Sequence, residues 1–134
     1  MRRSFSLGLL ICGLASLANA QQTPQVVVSG LQNPESAVVD GQGRIYVSVI
    51  GESGRDGDGS VVRIEQGKAV PFATGLDDPK GLVAHQQWFY VADKTRVWRI
   101  DGQGKAEVFA PASAFPTPPL FLNDLAVDVE SGNL

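Results

Sequence analysis

The sequence is short of the groups most enzymes use for covalent and metal chemistry: its 134 residues include one Cys, one His and one Met. The cysteine, Cys12, lies in the apolar opening of the chain, so no thiol follows it. That excludes a disulfide framework and a Cys–zinc site from the rest of the protein. Aromatic residues are 7% of the chain, and 11 basic residues are outnumbered by 14 acidic ones, so the basic surplus of a dedicated nucleic-acid binder is missing. No apolar run reaches the roughly 18 residues a membrane-spanning helix needs. Nor does any stretch beyond residue 20 carry a convincing helical period. A composition of 43% hydrophobic and 19% charged residues also excludes a disordered polyelectrolyte.

The chain opens with Met1-Arg2-Arg3, continues through an apolar or small stretch over residues 6–17, and reaches Ala18-Asn19-Ala20. A basic start, a short apolar stretch and a small-x-small site predict a secretory signal over residues 1–20, cleaved after Ala20, and an exported protein, periplasmic or secreted. Acylation of Cys12 would require a small residue before it, and Ile11 stands there. Removing residues 1–20 takes away Arg2 and Arg3, leaving 9 basic against 14 acidic residues, a net charge of −5 over residues 21–134.

What is present is an internal repeat. Gly30-Leu31-Gln32-Asn33-Pro34-Glu35-Ser36-Ala37-Val38-Val39 aligns with Gly75-Leu76-Asp77-Asp78-Pro79-Lys80-Gly81-Leu82-Val83-Ala84 at an offset of 45. A third copy starts at Asn123-Asp124-Leu125-Ala126-Val127-Asp128, 43 residues after Lys80. Arg44-Ile45-Tyr46-Val47 likewise matches Trp88-Phe89-Tyr90-Val91, and Val62-Arg63-Ile64 matches Trp98-Arg99-Ile100. Within a unit, short apolar or alternating runs separated by Gly-bearing turns read as four strands. They fall at residues 36–40, 44–49, 60–65 and 68–73 in the first unit, and at 81–85, 88–92, 95–101 and 105–110 in the second. Four-stranded antiparallel units recurring about every 45 residues predict an all-β fold, a partial β-propeller. Its extent is about two and a half blades of a ring that takes roughly 4–8. Residues 25–29 run into Gly-Leu as residues 69–74 do, and so read as an outermost strand lacking its first three partners. Together with a third unit that stops in its second strand, this predicts an N-terminal fragment of a longer propeller over residues 21–134.

The innermost strand of each blade lines a propeller's channel, so strand-starting side chains from successive blades converge there. The alignment places Glu35, Lys80 and Asn123 at that position. A carboxylate and a carboxamide are oxygen donors suited to a hard cation such as Ca²⁺, although polar residues also simply cap strands.

The stretch 33–40, the run Gly43-Arg44-Ile45-Tyr46-Val47-Ser48 and the later Leu122-Asn123-Asp124-Leu125-Ala126-Val127-Asp128 resemble the senescence marker protein, gluconolactonase and luciferin-regenerating enzyme family. The resemblance covers residues 30–134. It implies a six-bladed, NHL-like propeller with one divalent cation, usually calcium, in its channel. It implies Glu35 as a metal ligand and Asn123 as a metal ligand or substrate contact, with Lys80 and Asp124 as weaker substrate-binding candidates. The remaining ligands would lie beyond Leu134. The implied activity is hydrolysis of a lactone or ester, the cation polarising the carbonyl and stabilising the oxyanion. Phe121 stands where gluconolactonases with sugar specificity often carry Arg, which puts sugar lactones in doubt. The competing expectations are a non-catalytic propeller that binds a protein or polysaccharide, and an inactive fragment.

The other candidates read more simply. His85 aligns with the turn residues Asp40 and Asp128, away from the expected channel mouth. Lys80 reads foremost as a solvated or carboxylate-paired lysine at the channel rim. Residues 51–59 hold Glu52, Asp56 and Asp58 without the spacing of a calcium loop, and read as a flexible insertion. Trp88 and Trp98 read as packing between blades, and the four prolines over residues 111–119 as a connection.

Overall fold

A computed structural model describes residues 23–128 and 130–134, so the expected signal peptide lies outside the described residues. Eight strands form in sequence order: β1 (Pro34–Val39), β2 (Ile45–Val49), β3 (Gly59–Glu65), β4 (Lys68–Leu76), β5 (Pro79–His85), β6 (Trp88–Asp93), β7 (Arg96–Ile100) and β8 (Ala106–Ala110). They make two four-stranded antiparallel sheets, ordered β1-β2-β3-β4 and β5-β6-β7-β8. The fold is all-β, and the innermost strands β1 and β5 are neighbours across the joint between sheets, as in successive propeller blades. No helix among the described residues is long and apolar enough to cross a membrane.

The turns explain why each unit folds as a meander. Asp40-Gly41-Gln42-Gly43 and Asp101-Gly102-Gln103-Gly104 adopt the same structure at two different places in the repeat. In each, the aspartate Oδ1 accepts the amides two and four residues on, all at 2.9 Å. Each turn then needs glycine at its fourth position, where φ is +78° at Gly43 and +87° at Gly104. Gln66-Gly67, with both residues at positive φ, closes the two-residue β3–β4 hairpin. The insertion of Gly102 converts that short turn into the longer one in the second sheet.

Alternation along the strands gives each sheet two faces. Tyr46, Val61, Ala73 and Leu76 of the first sheet meet Leu82, Phe89, Val91 and Ile100 of the second in the main core. Each such side chain contributes about 1.5–3 kcal/mol on burial. Tyr46 organises the centre, with its ring 4.8 Å from Phe72 and 4.3 Å from Phe89. Trp98 packs against this core. Trp88 belongs to the opposite face of β6 and instead carries the Arg99 guanidinium 4.4 Å from its ring centroid.

The third unit differs from expectation. Residues 119–128 have no regular secondary structure, and no strand forms among the described residues after β8. The segment closes one tight turn, with the Asp128 N–H donating to the Asn133 carbonyl at 2.8 Å and the Gly132 N–H to the Asp128 carbonyl at 2.7 Å, too little for a ladder. Residues 25–29 likewise form no strand. Before the third unit, Pro111 precedes one 3-10 turn, Ala112–Ala114, consistent with a connection.

Candidate functional site at the inner-strand starts

Following the strands back and forth puts every residue of interest at one of two ends of the sheets. Glu35, Lys80, Asn123, Asp124 and the 51–59 loop gather where β1 and β5 begin. His85 and the Asp40 and Asp128 turns lie at the other end. The His85 Nε2 has no hydrogen-bond partner there and faces Gly132, so His85 is remote from Glu35 and Lys80.

Glu35 and Lys80 occupy the second positions of β1 and β5, each directly after a proline. Both strands are bulged at the same place: Pro34 pairs with Val49 and Ala37 with Val47, while Pro79 pairs with Asp93 and Leu82 with Val91. Three residues on the inner strand oppose two on its neighbour in both blades. A β-bulge re-aims the side chains it contains. It also explains why both inner strands start two residues earlier than apolar patterning alone indicates.

Two different fasteners hold successive inner-strand starts together. Between the first and second units the linker is Ser48, fully buried on β2. Its hydroxyl accepts the Ser36 N–H at 3.0 Å and donates to the Lys80 carbonyl at 2.6 Å. Between the second unit and the third, the Gly81 N–H donates directly to the Asn123 carbonyl at 2.9 Å. Ser36 and Gly81 are equivalent in the repeat, as are Ser48 and Ala92. Where the second blade has no hydroxyl, glycine allows close approach: a Cβ on Gly81 would lie 2.6 Å from Asp124 Cα. The two junctions therefore link the same backbone positions, with and without an intervening hydroxyl. They bring Asn123 into the structural place that Lys80 holds, although no ladder forms around it.

The side chains at these positions differ in availability. Glu35 is exposed, and its carboxylate joins none of the ion pairs among the described residues. Asn123 is exposed as well. Lys80 is only 13% exposed, with its ammonium 3.4 Å from Asp78 and 5.0 Å from the Phe121 ring centroid, so its charge is already met. Asp124 turns back on its own backbone, accepting the Leu125 N–H at 2.8 Å. Two oxygen donors are thus open. No group of three His, Cys, Asp or Glu side chains suited to a metal ion occurs among the described residues. A calcium ion takes six to eight oxygens, so Glu35 and Asn123 suit a hard cation in chemistry but do not complete its shell.

Asp93 is a residue the repeat did not bring forward. Fully buried at the end of β6, it accepts the Asp78 N–H at 2.6 Å, the Asp77 N–H at 3.1 Å and the Trp98 Nε1–H at 2.7 Å. It ties the approach to β5, and with it Asp78 and Lys80, to the sheet. The available signal was a difference between copies, since Val49 stands at the equivalent position of the first blade. Neither protein-family models nor curated proteins gave a match to this chain.

Proposed function

We propose that this chain forms propeller blades of an exported hydrolase acting on a lactone or ester, with a divalent cation, calcium by preference, at the starts of the inner strands. The observation that carries this reading is the repeated bulge, which presents Glu35, in no ion pair among the described residues, at the same strand position as Lys80. The Gly81–Asn123 bond adds a carboxamide from the next unit. When bound, such a cation supplies Lewis-acid polarisation of a carbonyl. Glu35 and Asn123 would contribute two of its oxygen donors. Lys80, paired with Asp78, holds the rim rather than acting as a free cation.

A second reading is a non-catalytic propeller that presents this end to a protein or polysaccharide, and the neutralised Lys80 favours it. The test reads the gene past Leu134 and assays this chain and any longer product against a panel of lactones and aryl esters, with and without chelator. Chelator-sensitive turnover that is lost in Glu35→Gln supports the hydrolase. Turnover indifferent to both changes overturns the metal site, and a well-folded longer product without turnover favours the binding module.

A further inference from the structure

The loop between β2 and β3 crosses the joint between the sheets beside a cleft. Asn33 and Pro34 form one wall of this cleft, Asp78 and Lys80 the other, and Ser53 and Gly54 of the loop border it. The base of the loop is fixed. The Asn33 side-chain amide donates to the Gly51 carbonyl at 2.9 Å, the Glu52 N–H donates to Asp58 Oδ2 at 2.9 Å, and Gly59 sits so close to Pro79 that a Cβ would meet its ring at 2.4 Å. The tip is not fixed in this way. It turns on Gly54 and Gly57, at φ +80° and +84°, its side chains are exposed, and Asp56 pairs with Lys94 of the second sheet.

We propose that residues 51–59 are a strap over the cleft beside Lys80, held down by Asp56 on Lys94, so that ionic strength controls access to that cleft. An exposed ion pair is weak and screened by salt, which suits a strap that opens readily. This inference needs no catalytic activity and stands apart from the hydrolase reading.

Trypsin cleavage at the exposed Arg55 reports the tip, and acetylation of the Lys80 amine by an N-hydroxysuccinimide ester reports the cleft. Both are followed by mass spectrometry on the full chain, with a free peptide of residues 52–58 as the reference for salt effects on the reagents. Lys94→Gln is expected to raise both rates about two- to five-fold, the range an exposed ion pair supports. About 0.5 M NaCl should do the same to the wild type and leave Lys94→Gln unmoved. Lys94→Arg should keep the wild-type rates. Cleavage at Arg55 that is equal in Lys94→Gln and wild type overturns the proposal. So does faster cleavage without faster Lys80 acetylation, because the loop would then move without uncovering the cleft.

Discussion

Replacing Ser48 by Ala tests whether the hydroxyl between the blades is the fastener its geometry indicates. The substitution removes one oxygen and leaves two buried backbone groups, the Ser36 N–H and the Lys80 carbonyl, without partners. Each orphan costs about 1–3 kcal/mol, and partial relaxation brings the expected loss to about 2–4 kcal/mol. That is a large share of the roughly 5–15 kcal/mol that holds a domain together. Urea unfolding should show the midpoint falling with the slope unchanged, since the surface exposed on unfolding is the same. The second junction supplies a sharper test, because there glycine bonds the next unit directly. Ser36→Gly alone should cost about 1 kcal/mol, from backbone entropy and the lost contact to the Leu82 N–H. Added to Ser48→Ala it should recover stability instead, since the bare backbone at position 36 can then close on the Lys80 carbonyl. A double variant that loses the sum of the two singles to within about 0.5 kcal/mol refutes the equivalence of the two junctions.

Three further perturbations separate causes that the fold superimposes. Gly43→Ala and Gly104→Ala impose the same positive-φ strain of about 1–2 kcal/mol on matching turns, but only at Gly104 would the new Cβ strike a neighbour, the Phe72 carbonyl at 1.9 Å. Thermal unfolding should therefore show Gly104→Ala losing at least about 2 kcal/mol more, and equal losses would mean that the sheets do not meet there. Asp93→Asn leaves the site's volume intact but faces an amide N–H₂ toward N–H donors, so denaturant unfolding should show about 2–4 kcal/mol lost. Burial raises the Asp40 carboxyl, but hydrogen bonds from Arg44 and Gln42 outweigh it and hold it below the usual carboxylate range, while the Ser131 hydroxyl and the Glu130 amide lower Asp128. A lowered folded pKa gives stability that is full above the unfolded value near about 4 and lost as pH falls through the folded value, so Asp40→Asn should flatten only that acid limb of a pH–stability curve.

The repeat was the legible part of the fold because strand period and turn chemistry agree in both copies. Every strand of the two sheets lies within three residues of its place in the sequence pattern. The inner strands begin early at Pro34 and Pro79 for a reason that patterning cannot see. A bulge breaks the period of two, so the residues it contains look like loop. The third unit was legible as a repeat but not as a structure, since a strand exists only where a neighbour completes its ladder. Asp93 and Ser48 escaped notice because each is a side chain serving backbone groups from distant parts of the chain. Nothing in a run such as Tyr46-Val47-Ser48-Val49 says that the hydroxyl will bridge residues 36 and 80.

Comparison of equivalent positions then sorts the polar residues by what they do. Aspartates at the far end recur as turn formers, with Asp40, Asp101 and Asp128 each accepting amides that follow them in the chain. Their spacing serves folding. At the near end, one repeat position, bulged in both sheets, carries a carboxylate in the first unit and an ammonium in the second, and its equivalent in the third is a carboxamide; no turn or ladder requirement selects among those chemistries. The ammonium is met by Asp78 and Phe121, but the carboxylate of Glu35 is exposed and joins no ion pair among the described residues. A strand start whose backbone is held by Ser48 does not need Glu35 for its stability. Glu35→Gln should leave the unfolding midpoint of this chain unchanged to within about 0.5 kcal/mol, as for a surface substitution. A large loss would give the residue a folding role and remove it from the site.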